Sequence, residues 1–540
     1  MVALCNDIDA EGMMQTIRAF GQWEKLSGGD GEFASLQMIR DRLDGYGYRT
    51  RILHHDAYIS LPGRSRVSVG NMVPKSITHS FSRSSPGLMA ELVYVGAGND
   101  ADFARNDVFG KIVLVDGIAT PPVSYRASKA GATGQLHISP HEHLHEMCIS
   151  PVWGSPAPEK REDLPSTVVC SVLPSFGDPL RERVKSGETI TATLEAEVET
   201  GWRQTPILEA GIGDQDAPFL LFSGHHDTWY YGVMDNGSAN AAMMEVARLC
   251  ATKRADWKRG LRLCFWSGHS HGRYSGSTWY VDNHFDELDQ FCVAHLNVDS
   301  LGARGADVLT NVGSMSCLTA LAAEAIETHS GQCLLGKRMS RGADQSFNGL
   351  GLPALFGDLS EPDPTPVGPH CWWWHTPDDL VDKIDEATQV RDTRIYVHAA
   401  WRLLTDSVLP LDFAATARSL LQELTALPVP PALIQAVRDL ETQAAALRES
   451  PIPAERINAA LMRISREVVP LDYTSGDRFA HDPAMGLPPW PVLEPLRALT
   501  KAAPGSDTAR FQAIAATRAA NRVQAAVREA NIVLASVLGR

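Results

Sequence analysis

The chain has 540 residues, enough for about three domains at roughly 150 residues each. With 44% hydrophobic and 21% charged residues it has the composition of a globular protein with a substantial core. Its formal charge of −15 argues against nucleic acid or an anionic membrane surface as a partner.

The nine cysteines are scattered, with no CxxC pair. That usage points to a reducing compartment rather than a disulfide framework or a cysteine zinc knuckle. The N-terminus shows no basic segment followed by an apolar run, and no apolar stretch is long enough to span a membrane. The expectation is a cytoplasmic protein.

Residues 8–48 carry helical periodicity, with Ile17, Phe20 and Trp23, then Leu36, Ile39 and Leu43, at three- and four-residue steps. Gly45 and Gly47 end it, and Arg49-Thr-Arg-Ile-Leu reads as a strand. From 64 to 200 the texture is β: short apolar runs beginning at Glu91, Lys111, Thr167 and Thr189 alternate with Gly- and Pro-rich turns. Between them, Tyr125-Arg-Ala-Ser-Lys-Ala-Gly-Ala reads as a short helix, and the whole stretch as a self-contained insert. From 205 to about 405, strand candidates at 218–222, 261–266, 292–298 and 353–356 alternate with helical stretches near 237–253, 276–290, 315–330 and 385–406. This order predicts a mainly parallel sheet with helices on both faces. The tail from 410 is helical, broken at Pro428-Val-Pro-Pro, Pro451-Ile-Pro and Pro488-Pro-Trp-Pro.

The chemistry-bearing residues lie just past the ends of the predicted strands, where open α/β sheets bind ligands. His225, in Ser223-Gly-His-His-Asp, can offer an imidazole to a metal, with Asp227 near enough to orient the ring. Asp235 opens a predicted helix, as a ligand or as an N-cap. Asp299 ends a strand, and His375 follows a run of three tryptophans, Trp372–Trp374. Two histidines and two aspartates make a mixed N/O set suited to zinc, with manganese, cobalt or iron as other fits. Trp374, with Trp229–Tyr231, reads as the wall of an aromatic pocket or as core packing. The His141–Glu146 cluster reads as a polar loop at the mouth of the site or an accessory metal site.

Gly224-His-His-Asp-Thr, Met234-Asp-Asn-Gly-Ser, Asn297-Val-Asp-Ser, Gly342-Ala-Asp-Gln-Ser-Phe with Gly351-Leu-Pro, and His375-Thr-Pro-Asp-Asp resemble the co-catalytic zinc aminopeptidase and glutamate carboxypeptidase II family, over roughly 10–405. Phe109-Gly-Lys-Ile-Val-Leu-Val-Asp and Ala127-Ser-Lys-Ala-Gly-Ala-Thr-Gly resemble its protease-associated domain. The resemblance implies that His225 and Asp299 hold one metal, His375 holds another, Asp235 bridges them and the Asp235–Asn236 peptide is cis. It also implies a homodimer through the helical tail.

The family carries two adjacent glutamates after the strand that ends here at Trp266, one a general base and the other a ligand. This chain reads Trp266-Ser-Gly-His-Ser-His-Gly-Arg-Tyr. Counting from either side puts His269 and Ser270, or Ser270 and His271, at those positions. Neither register has a carboxylate. One of His269 and His271 then serves as ligand and the other as base, since imidazole does both near neutral pH. Arg273 and Tyr274 are placed to hold a substrate carboxylate or an oxyanion.

The expected architecture is therefore an α/β unit (1–63 and 201–408) with a mixed, mainly parallel sheet between helices. It carries a β-rich protease-associated insert (64–200) and is followed by a helical domain (409–540). The expected activity is metal-dependent hydrolysis of an amide or peptide bond in a small substrate, with one or two zinc ions. Cleavage of a non-peptide C–N bond, as by a lyase, and a non-catalytic scaffold of the transferrin-receptor type are the alternatives.

Overall fold

In a computed structural model, residues 2–214, 216–362 and 371–539 are described. The N-terminal helices α1 (Ala10–Phe20) and α2 (Asp30–Gly45) bury the apolar face read from sequence; Ile17, Phe20, Leu36, Ile39 and Leu43 are inaccessible to solvent. Asp9 caps α1 by accepting from the Gly12 N–H.

Two long strands organise the middle of the chain. β1 (Arg49–Ser68) leads into the insert. There β2 (Ser85–Tyr94), β3 (Ile112–Asp116), β4 (Gly134–Ile138) and β5 (Val168–Val172) form a parallel array. The chain returns along β6 (Thr191–Ile212), which pairs antiparallel with β1 from Arg49↔Gly211 to Ser68↔Thr193. Then come β7 (Phe219–His225), α3 (Ala239–Ala251), β8 (Gly260–Trp266), α4 (Ser275–Asn283), β9 (Cys292–Asn297), β10 (Ala354–Leu355) and α5 (Glu386–Thr405). The central body sheet runs β10-β9-β7-β8-β6, parallel from β10 to β8 as the alternation of strands and helices predicts, with β6 antiparallel to β8 and the two-residue strand Gly313–Ser314 antiparallel to β10. β7 and β9 are buried along their whole length, the pattern of central parallel strands covered on both faces.

β1 and β6 continue from the body sheet into the insert, so the expected boundaries at 63/64 and 200/201 fall inside two paired strands. The insert has its own core around Ile112, Leu136, Val168 and Leu194. The tail helices α6 (Phe413–Leu424), α7 (Pro431–Arg448), α8 (Ala454–Tyr473) and α9 (Asp507–Leu538) share one continuous core with the body, from Ile17 through Phe222 and Leu404 to Leu447 and Val527. Buried Arg466 on α8 fastens this join by donating to the backbone carbonyls of Leu288, Asp289 and Cys292. No described helix is long and apolar enough to cross a membrane.

Candidate metal centre

The carboxyl ends of β7, β8 and β9 converge on one side of the body sheet. His225 is the last residue of β7, and Asp299 lies two residues past the end of β9. Asp235 sits in the turn Val233–Ser238 before α3, where Gly232 adopts φ 49° with no room for a Cβ, and the Asp235–Asn236 bond is cis. Asn236 donates to the carbonyls of His225 and Val298, tying this turn to both strand ends.

Both metal-type histidines are oriented by the same device. His225 Nδ1 donates to the Asp227 carbonyl at 2.8 Å, and His375 Nδ1 to the Glu146 carbonyl of the insert at 2.7 Å. A carbonyl only accepts, so each proton is on Nδ1 and each Nε2 presents a lone pair. His225 Nε2 then lies 3.0 Å from Asp235 Oδ1 and 3.4 Å from Asp299 Oδ1, while His375 Nε2 lies 3.0 Å from Asp235 Oδ2. His225 Nε2 and Asp235 Oδ1 are buried and make no hydrogen bond. Two buried acceptors facing each other at this distance repel unless a metal ion, or in its place a proton on Nε2, lies between them. Burial lowers the proton affinity of His225, but Asp299 and Asp235 outweigh it and hold the imidazole well above its ordinary pKa. Burial raises Asp235, but His225 and His375 outweigh it and hold the carboxyl well below the usual range. The N/O donors suit zinc, manganese, cobalt or iron.

The strand β8 ends at Trp266, and the following turn separates the two unassigned histidines. His269 lies against the centre, its ring stacked on that of His225 at 3.6 Å with 12° between the planes. Donor atoms of His225, His269 and Asp299 lie within 4.8 Å of one another, the one group of three His, Cys, Asp or Glu donors so placed among the described residues. His271 is buried elsewhere: its Nδ1 is 2.9 Å from Ser27 Oγ and its ring is against Trp229, and it does not line the cavity. Asp227 orients the ring of His225 through its backbone carbonyl and holds this turn through its side chain. Its carboxylate accepts from the backbone N–H groups of His269 and Ser270 and from Ser27 Oγ. Ser270 lines the cavity, with its hydroxyl 3.4 Å from the Asp227 carbonyl.

The cavity over these groups is about 340 Å³ and takes in Asp235, Asp299, His269, His375, Trp229 and Trp374. Trp374 stacks on His375 at 3.5 Å. Arg273 and Tyr274 line it as well, both in left-handed backbone conformations at the start of α4. Among the described residues, the Arg273 guanidinium packs on the Tyr274 ring and reaches only the Ala484 carbonyl, at 3.5 Å, and its buried Nε has no hydrogen-bond partner. The insert supplies Met147 and Cys148 to the wall. Its His141–Glu146 loop packs on the tryptophan run, with His143 stacked on Trp372 at 4.3 Å.

Two functional carboxylates carry no role in the sequence reading. Asp344 accepts from His269 Nδ1 at 2.7 Å, and Asp379 accepts from the Met234 and Asp235 N–H groups that present the Asp235 carboxylate. Burial pushes Asp379 up to about 7. Both lie in stretches that carry the family resemblance, but nothing in a lone turn aspartate distinguishes such a partner from a cap.

Residues 209–400 match the model of peptidase family M28. The probable glutamate carboxypeptidase AMP1 of Arabidopsis thaliana is 25% identical over 267 residues, 44% of this chain and 36% of that protein. The probable glutamate carboxypeptidase VP8 of Zea mays is 37% identical over 93 residues, 16% of this chain and 13% of its own length. The chain thus spans about a third or less of these curated relatives. Among solved structures, the aminopeptidase from Aneurinibacillus sp. strain AM-1 superposes with a TM-score of 0.58 at 25% identity, over 74% of this chain and 95% of that one. A zinc aminopeptidase from Bacillus subtilis shares the fold, with a TM-score of 0.57 at 18% identity over 74% and 96%. Residues 209–400 are thus similar to peptidase family M28, and the sheet-bearing body has the α/β zinc-peptidase fold.

Proposed function

We propose that the protein is a metal-dependent hydrolase that cleaves an amide or peptide bond in a small substrate, with His269 where such peptidases carry a carboxylate. The observation that carries this reading is the pair of buried, hydrogen-bond-free acceptors His225 Nε2 and Asp235 Oδ1, 3.0 Å apart beside Asp299. His225, Asp235, Asp299 and His375 would hold a zinc ion there, which would supply Lewis-acid activation of the carbonyl and of the attacking water. His269 takes the proton, and Arg273 with Tyr274 holds a carboxylate of the substrate. Trp229 and Trp374 supply an apolar wall. The insert acts as a protease-associated domain that roofs the site, in keeping with its parallel array and with Glu146, Met147 and Cys148 at the centre. The nine unpaired cysteines, eight of them buried, fit a reducing compartment.

The test is metal content by elemental analysis, together with hydrolysis of a dipeptide panel. His225→Ala and Asp299→Asn are expected to lose the metal. His269→Ala is expected to keep it and lose roughly 100- to 10,000-fold in rate. Wild-type protein that binds no metal, or binds it and hydrolyses nothing in the panel, would sink this reading.

A further inference from the structure

His269 is gripped from behind by a chain of hydrogen bonds that starts in the insert. Its Nδ1 is 2.7 Å from Asp344 Oδ2. The other oxygen of Asp344 accepts from Ser277 Oγ at 2.7 Å; Ser277 Oγ lies 2.9 Å from Ser346 Oγ; and Ser346 Oγ accepts from the Trp153 indole N–H at 2.9 Å. Asp344, Ser277, Ser346 and Trp153 are all buried.

The direction of every proton in this chain is set by its two ends. An indole N–H only donates and a carboxylate only accepts. Ser346 therefore takes the indole proton and donates to Ser277, and Ser277 donates to Asp344 Oδ1. That leaves Asp344 Oδ2 as an acceptor, so the proton of neutral His269 is on Nδ1. The lone pair is then on Nε2, the nitrogen turned away from Asp344. The ring plane is fixed independently by the stack on His225. Ala343 and Asp344 both adopt left-handed conformations, with φ 33° and 56°, and these turn the carboxylate back toward the β8–α4 turn. Non-glycine residues take such conformations only where the surroundings hold them.

We infer that Asp344 is the positioning residue of the site: it fixes the tautomer and ring orientation of His269, and the relay through Ser277 and Ser346 makes Trp153 of the insert its outer anchor. A histidine standing in for a carboxylate needs this support. A carboxylate offers a lone pair in any rotamer, whereas an imidazole offers one from only one nitrogen and in one direction. The tautomer assignment stands on geometry alone; its catalytic consequence rests on the hydrolase reading above.

The test begins on metal-free protein labelled with [15N]histidine. Long-range proton–nitrogen correlation spectra near pH 8 distinguish the two tautomers, and His269→Gln identifies the His269 signals by removing them. The expected wild-type pattern is protonated Nδ1 and bare Nε2. Asp344→Asn and Asp344→Ala are expected to shift His269 to the other tautomer or to a mixture, while the remaining histidine signals stay in place. A wild-type His269 protonated on Nε2, or one unmoved by both substitutions, would overturn the assignment. On an active dipeptide, Asp344→Asn is expected to lower kcat by roughly 100- to 10,000-fold, with KM within about twofold and metal content unchanged. The His269→Ala/Asp344→Asn double variant is expected to be no slower than His269→Ala alone; losses that multiply would show that Asp344 acts other than through His269. The expected tautomer in a wild-type protein that hydrolyses nothing removes the hydrolase reading and upholds the assignment.

Discussion

At the scale of single residues, the site is built by committing one nitrogen of each imidazole to aim the other. His225 and His375 commit Nδ1 to backbone carbonyls and His269 commits it to a carboxylate. His271 is committed to Ser27, and its second nitrogen is buried without a partner. Its ring packs against Trp229, outside the cavity lining. His271→Ala is expected to cost about 2–3 kcal/mol of stability, seen as a lower urea midpoint, and to leave metal content unchanged. Loss of metal in that variant would return His271 to the ligand set. His225, Asp235, Asp299 and His375 were legible together because each follows a strand or opens a helix in the expected order, and they do converge. The choice between His269 and His271 was not legible. It turns on the loop path after Gly268, whose φ of 75° swings His269 over the site. Asp344 was hidden because its partner is 75 residues away in the chain.

At the scale of elements, the hinge between β8 and α4 carries His269 and has little slack. Gly276 donates to the Ser267 carbonyl at 3.1 Å, and a Cβ there would stand 2.3 Å from that same oxygen. Backbone cannot yield as a side chain does, so Gly276→Ala is expected to destabilise by about 3 kcal/mol or more and to displace His269. A thermal midpoint within a degree or two of wild type would contradict this. Most elements were readable: the helices of body and tail and the central strands recur within a few residues, whereas the strands read at Arg49 and Thr189 run on to Ser68 and Ile212. The helix Pro174–Lys185 of the insert was not, because Gly177 and Pro179 inside it read as a turn. Its glycine serves close packing, since a Cβ at 177 would meet Ile138 at 2.6 Å. Local propensity yields there to the tertiary contact.

At the scale of the whole molecule, buried histidines of the insert contribute to the response to acid, alongside His55 and His295 of the body, which burial lowers to about 4 and about 3. His79 and His137 are buried in the insert, and burial lowers their pKa values to about 3 and about 4. His79 Nδ1 accepts from the N–H of Met147, which lines the cavity, so protonation there breaks a contact at the roof. Both rings are neutral when folded, and they protonate near pH 6.5 when unfolded. Their contribution is thus fully present above about pH 6.5 and is lost as pH falls toward 4, at up to about 1.4 kcal/mol per pH unit for each ring. Thermal midpoints across this range should fall steeply in the wild type and more gently in His79→Gln. Equal slopes would place the acid sensitivity elsewhere.

The pairing of β1 with β6 dictates an order of assembly. β1 is complete at residue 68, its partner begins at 191, and the remaining strands of the body sheet all lie beyond 212. On the ribosome, β1 therefore waits, unpaired on that edge, while the insert is synthesised. The insert is the first part of the chain able to close a sheet of its own. Once it folds, it brings the end of β1 and the start of β6 together, and the long loop closure that would otherwise slow so non-local a pairing has already been made. The roof of the site is in this sense also the template on which the floor is laid.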